Sequence, residues 1–266
     1  MGGVSVKPVA LTIAGSDPSG GAGLQADLKT FHQFGVYGMS VVTLLTVQNT
    51  ERVDAVEPLD PRLVREQLEA VVSDIPPQAA KTGALGTSGI ITIVAEAFRR
   101  LPFPLVVDPV MISKHGAALI AEDARETLIR DLLPLAFLVT PNLHEAAALA
   151  GIPVTGPAGM QEAARRIAGL GPQAVLVKGG HLTGDALDVL YYQGEIRTFS
   201  ARRVDTKNTH GSGCTYSAAI TAGLAKGSDL EAAIEIAKRY ITRAIAESPG
   251  LGKGCGPVEH HAGIDD

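Results

Sequence analysis

The chain has 266 residues, 45% of them hydrophobic and 19% charged, with a net charge of -5. That suffices for one large globular domain with a sizeable core and excludes a disordered chain. The acidic balance and the lack of a long basic run argue against nucleic acid as a partner.

The two cysteines, Cys214 and Cys255, are too few for a disulfide framework. No Cys/His cluster has zinc-ligand spacing. His260-His261 could bind a metal, but adjacent side chains in a polar tail are expected to be solvated. Met1 to Pro8 has no apolar signal-peptide core, and no apolar run reaches membrane-spanning length. A cytoplasmic protein is the expectation.

Pro8 to Ala14 reads as a buried strand. Gly15 to Gly23 is a glycine-rich turn, and a helix follows from about Leu24 to Phe34, stopped by Gly35. Strands are expected at Met39–Val47 and Val53–Leu59. With no helix between them, these two could form a flap apart from the main sheet. A helix over Pro61–Ser73, a short strand at Ala79–Thr82 and a helix over Ser88–Phe98 come next. Leu105–Val110 is a buried strand carrying Asp108 at its end, and Ala121–Leu133 is helical. Ala136–Thr140 is a strand, Leu143–Ala150 and Ala158–Leu170 are helices, and Ala174–Gly180 is a strand then a turn. Ala186–Tyr192 and Ile196–Val204 form a hairpin around Gln193-Gly194-Glu195. Helices over Cys214–Lys226 and Leu230–Ala246 close the chain. The alternation predicts an α/β fold, with one mostly parallel sheet covered on both faces. No linker divides the chain, so a single domain is expected. Ligands then collect at the carboxyl ends of the strands.

Gly15 to Gly20 has the glycine spacing of a P-loop, but Gly21-Ala22 stands where Lys-Ser/Thr is required. Gly21 to Ala26 fits a dinucleotide fingerprint formally, yet the preceding strand ends at Ala14 and the next ends without an acidic residue. The four glycines of this turn suit close backbone approach to a ligand. Asp27 falls on the apolar stripe of Leu24, Leu28 and Phe31, so it needs a partner or ligand, unless it reaches solvent at the stripe's edge. Gln48, at a strand end, is either a turn residue or an amide for a heteroaromatic ring edge.

Asp108, Asn142 and Glu145 sit at neighbouring strand ends and could hold Mg²⁺, directly or through water. Asn142 and Glu145 also have the spacing of a helix capping box. Lys178, before Gly179-Gly180, is a phosphate contact or a solvated lysine. Gly211-Ser212-Gly213 feeds a helix whose first turn holds Cys214, an arrangement that binds anions and should lower the thiol pKa. Cys214 is otherwise a small buried residue, or the nucleophile of a dyad with His210.

Together these residues resemble the ribokinase-like kinases, and within them the hydroxymethylpyrimidine/phosphomethylpyrimidine kinases of thiamine biosynthesis. The resemblance rests on Ala14–Thr30, Val47–Thr50, Asp108–Met111, Thr140–Ala146, Val177–His181 and Thr206–Thr215, with Gly254–Val258 in the tail. It implies a three-layer αβα fold and transfer of the ATP γ-phosphoryl to the pyrimidine's hydroxymethyl group, then to the monophosphate. It also implies roles for single residues. Gln48 contacts the pyrimidine, with Asp27 and Ala22 in the segment lining that pocket. Gly211, Ser212 and Gly213 form the anion hole, and Cys214 stands in the slot where sugar kinases of the superfamily carry the catalytic Asp; its place at the helix N-terminus makes it the expected base toward the substrate hydroxyl. Asn142 and Glu145 belong to the metal-organising motif, and Lys178 to the nucleotide-phosphate region. Ala84 departs from the family, whose members often carry methionine there. A homodimer is implied at family level. The competing readings are a pyridoxal/pyridoxine kinase, a Cys214/His210 hydrolase without ATP, and a non-enzymatic nucleotide sensor.

Overall fold

The computed structural model describes residues 7–112, 116, 119–180 and 184–264. His181, the last residue of one resembling motif, lies outside them. The strands are β1 (Val9–Ser16), β2 (Tyr37–Gln48), β3 (Val53–Pro58), β4 (Ala79–Thr82), β5 (Leu105–Val107), β6 (Leu138–Val139), β7 (Ala174–Lys178), β8 (Ala186–Tyr192) and β9 (Glu195–Ala201). They form one sheet in the order β3-β2-β1-β4-β5-β6-β7-β8-β9. Pairing is parallel from β2 through β7 and antiparallel for β2/β3, β7/β8 and β8/β9. The inner strands are buried on both faces, which is why they read as continuous apolar runs without alternation.

The helices are α1 (Gly23–Gln33), α2 (Pro61–Asp74), α3 (Ser88–Phe98), α4 (Glu122–Thr127), α5 (Leu143–Ala150), α6 (Pro157–Ala168), α7 (Ser212–Ala225) and α8 (Leu230–Ala246). Two apolar clusters cover the sheet. One takes Val64 and Leu68 of α2, Ile90 and Val94 of α3, and residues of α4, α5 and α6. The other takes Phe31 of α1, Ala218 and Ile220 of α7, and Ile234 and Tyr240 of α8. The result is the expected αβα sandwich.

Helix α7 is buried almost all round, from Thr215 to Gly223. Its Ala, Gly and Ser residues permit this. A Cβ on Gly223 would lie 2.9 Å from Ala233 Cβ of α8. The sandwiched helix points its N-terminus at the carboxyl ends of the central strands. The crossovers leave β1 and β4 toward opposite faces, so the crevice between those strand ends is a topological switch point.

Two expectations are corrected. The β2/β3 hairpin is not separate from the sheet: Tyr37–Leu45 pairs with β1, and only Leu44–Gln48 pairs with β3. Its far half does project, leaving Leu45 and Val47 48% and 59% exposed. The helix expected over Ala121–Leu133 stops at Thr127, passes through a π-turn at Leu128–Leu132 and ends in a 3₁₀ turn at Leu133–Leu135. Pro134, in that last turn, has no N–H to continue the helical ladder. Among the described residues no helix is long and apolar enough to cross a membrane.

Candidate active site

The loop after β1 is organised by Asp17, a residue the sequence did not single out. Its Oδ1 accepts from Ser19 N–H at 2.8 Å and Ser19 Oγ at 2.7 Å. Its Oδ2 accepts from Gly21 N–H at 3.1 Å and Ala22 N–H at 2.8 Å. His210 Nε2 joins the same oxygen at 2.8 Å. Burial alone would push this carboxyl up; bonds from His210, Gln48 and Ser19 overcome that and hold it well below the usual carboxylate range. The side chain of Gln48, at the end of β2, therefore faces the Asp17 carboxylate. Ala22 precedes α1 and supplies one of the loop amides.

Asp27, one turn into α1, is fully buried. Its partners are Lys81 Nζ at 2.8 Å and Thr12 Oγ1 at 2.6 Å. The carboxylate on the apolar stripe thus has a protein partner and does not reach solvent. Lys81 is equally buried. Burial would pull its ammonium down, but the negative groups around it, Asp27 first, hold it up. The clue in the sequence was a lysine inside the short strand Ala79–Thr82, where a surface role is unavailable.

The opposite wall is the N-terminus of α7. Gly211 is its N-cap, with φ 76°. A Cβ there would lie 1.7 Å from Gly21 O, so only glycine lets the two turns touch. Of the first amides of α7, Ser212 N–H bonds back to Thr209 O at 3.2 Å; the amides that follow in the first turn have no intrahelical acceptor and lie along the helix dipole. Gly213 borders Lys178: a Cβ on it would lie 3.4 Å from Lys178 Nζ and 3.9 Å from Asp108 Oδ2.

The thiol of Cys214 departs from expectation. Its pKa is pushed up to about 12, not lowered. Burial dominates, and the Asp27 and Asp108 carboxylates add to the rise; Lys81 and the Gly23 N–H oppose it and lose. His210 gives its Nε2 to Asp17, so that nitrogen is not the base of a dyad with Cys214.

Asp108, Asn142, Glu145 and Lys178 meet beside this helix end. Asp108 Oδ1 accepts from Lys178 Nζ at 2.9 Å and Thr140 Oγ1 at 3.4 Å, and Oδ2 from Ser217 Oγ at 3.3 Å. Lys178 is thus an ion-pair partner and not a solvated lysine; its side chain is 12% exposed. Asn142 Oδ1 accepts from His144 and Glu145 N–H, and Glu145 Oε2 accepts from Asn142 N–H, a full capping box. Burial pushes the Glu145 carboxyl up to about 7, with Lys178 opposing and Asp108 reinforcing the rise. No three metal-ligating side chains converge among the described residues.

Of the two adjacent tail histidines, His261 is exposed as expected and His260 is not. His260 is buried with its Nε2 3.2 Å from Thr215 Oγ1, and burial lowers its pKa to about 4. Cys255 Sγ donates to Lys207 O at 2.9 Å.

A sequence profile of the phosphomethylpyrimidine kinase family matches residues 17–259. The chain belongs to that family. A hydroxymethylpyrimidine/phosphomethylpyrimidine kinase of Streptomyces coelicolor is 46% identical over 95% of this chain and 94% of its own length. The thiamine biosynthesis bifunctional protein ThiED of Geobacter sulfurreducens is 48% identical over 96% of this chain, which spans 53% of that longer protein. Among solved structures, an ADP complex of Bacillus subtilis pyridoxal kinase superposes with a TM-score of 0.89, at 41% identity and over 96% of this chain and 98% of that one. The fold is therefore ribokinase-like, as expected. The chain is a phosphotransferase that acts on hydroxymethylpyrimidine and its phosphate, in thiamine biosynthesis.

Proposed function

We propose that phosphoryl transfer takes place at the N-terminus of α7. The observation that carries this reading is the convergence there of the Gly211–Gly213 turn, Cys214 and the Asp108–Lys178 pair. ATP is the donor, consistent with the ADP bound in the B. subtilis relative. The amides of Gly211 and Gly213 stabilise charge on the transferring group, and Ser212 N–H, bonded to Thr209 O, holds the turn in shape. Lys178 meets the nucleotide phosphates as a point charge. Ala22 and Gln48 hold the pyrimidine across from that turn, while Asp27, without exposed surface, supports the pocket through Lys81.

The substrate hydroxyl oxygen bonds to the γ-phosphorus, and the bond from phosphorus to the ADP oxygen breaks. The hydroxyl proton passes to the Cys214 sulfur, which must first release its own proton to solvent, because burial holds the thiol neutral in this chain. Lys81 and the Gly23 N–H favour the thiolate but do not by themselves outweigh burial. Asp108 and Glu145 are buried carboxylates sharing the Lys178 counter-charge, so the site suits a hard dication. Their oxygens already take protein hydrogen bonds, which fits contact to Mg²⁺ through water, with Asn142 orienting Glu145. Asp108 and Glu145 would hold Mg²⁺ there, and it would supply positive charge to neutralise the phosphates. The fold works as one domain; a homodimer in the cytoplasm is the family-level expectation.

The decisive experiment is ADP release from ATP with and without hydroxymethylpyrimidine, repeated with pyridoxal. Release that depends on hydroxymethylpyrimidine supports the reading. Higher kcat/KM for pyridoxal favours the second reading, to which the similarity to the B. subtilis pyridoxal kinase lends weight. Binding without release would make the protein a sensor.

A further inference from the structure

Asp17 and His210 are 193 positions apart and meet at 2.8 Å, their side chains 3% and 6% exposed. Asp17 is the hub of the first glycine-rich loop, and His210 is the residue immediately before Gly211. The contact is reinforced by backbone. A Cβ on Gly21 would lie 2.6 Å from His210 Cδ2, and one on Gly211 would lie 1.7 Å from Gly21 O. His210 itself is held by the tail, its N–H donating to Gly256 O at 3.0 Å and its carbonyl accepting from Val258 N–H at 3.4 Å.

A carboxylate that accepts from Ser19, Gly21 and Ala22 is ionised and can only accept. Nε2 of His210 must then carry the hydrogen. These donors also spread the negative charge of Asp17. That matters, because a bare carboxylate beside a phosphate site would repel the ligand.

We propose that His210 is a positioning residue for phosphoryl transfer: by donating Nε2–H to Asp17 it locks the turn that leads to Cys214 against the loop that carries Ala22. The lock fixes the gap between the transferring phosphate and the pyrimidine hydroxyl. This rests on the reading of Gly211–Gly213 as the phosphate cradle. A misplacement of about 1 Å between reacting groups costs roughly 10²-fold in rate.

The test compares wild type with His210→Leu, His210→Gln and Gly213→Ala. ADP release gives kcat, calorimetry gives the Kd for hydroxymethylpyrimidine, and a thermal melt reports folding. His210→Leu should lose about 10²-fold in kcat while the pyrimidine Kd stays within about threefold. His210→Gln keeps an N–H that reaches Asp17 and should recover to within about tenfold of wild type. A folded His210→Leu with near-wild-type kcat overturns the proposal. So does a Gln variant no faster than Leu, or a rate loss matched by equal losses in Kd and Tm, which marks a purely structural contact. If His210→Leu does not fold, Asp17→Asn reads the same link from the other side, and normal turnover there overturns it. Normal turnover in Gly213→Ala would remove the cradle reading itself. Slow Gly213→Ala beside normal His210→Leu would remove the lock alone.

Discussion

The loop Ser16–Gly23 and the turn His210–Cys214 are both rich in glycine and both feed a helix, yet they differ in what occupies their amides. In the first, Asp17 already takes the N–H groups of Ser19, Gly21 and Ala22. The loop has folded around its own anion. In the second, no carboxylate takes the amides: Ser212 N–H bonds back to Thr209 O at 3.2 Å, and the turn sits at the end of a buried helix beside Lys178 and Cys214. A glycine-rich junction is thus not by itself a phosphate site. The presence or absence of an internal carboxylate decides which ligand it can take.

The sharpest way to break this comparison is Gly211→Ala. The residue would need a left-handed conformation and a Cβ 1.7 Å from Gly21 O. Strain and clash together should cost about 3 kcal/mol or more and abolish turnover. Circular dichroism and ADP release check it; a stable, active variant would mean that the turns do not touch.

Lys81→Met comes next. It leaves Asp27 buried with only Thr12, which should cost about 3–5 kcal/mol of stability in denaturant melts. Gln48→Ala probes the recognition side, and pyrimidine binding should weaken about tenfold by calorimetry. Unchanged affinity would take Gln48 out of the pocket.

The smallest effect concerns His260, which braces the first turn of α7 from behind. Its folded pKa of about 4 lies below the ordinary 6.5, so the neutral ring is the one that folding favours. Its contribution is present above the ordinary value and is lost as pH falls from there toward the folded value. The Tm of wild type should therefore drop more steeply across that window than the Tm of His260→Gln.

Much of this was legible in the sequence. The strands and helices follow from apolar runs and 3.6-residue spacing, and Asn142 and Glu145 form the capping box their spacing announces. What stayed hidden depends on contacts distant in sequence. Asp17 looked like one more polar loop residue because its partner His210 is 193 positions away. The thiol of Cys214 was expected to be acidic from its helix position alone. Helix position predicts a lower pKa, but burial and two carboxylates from α1 and the end of β5 outweigh it. Asp27 needed a partner by pattern, and only the sheet order brings Lys81 of β4 beneath it.

The central claim is that chemistry occurs at the second turn, with Cys214 as base. Cys214→Ser tests it most directly, by ADP release at saturating substrates together with calorimetry for hydroxymethylpyrimidine. The account predicts intact pyrimidine binding and a kcat lower by about 10²–10⁴-fold. Turnover near wild type in that variant would contradict it.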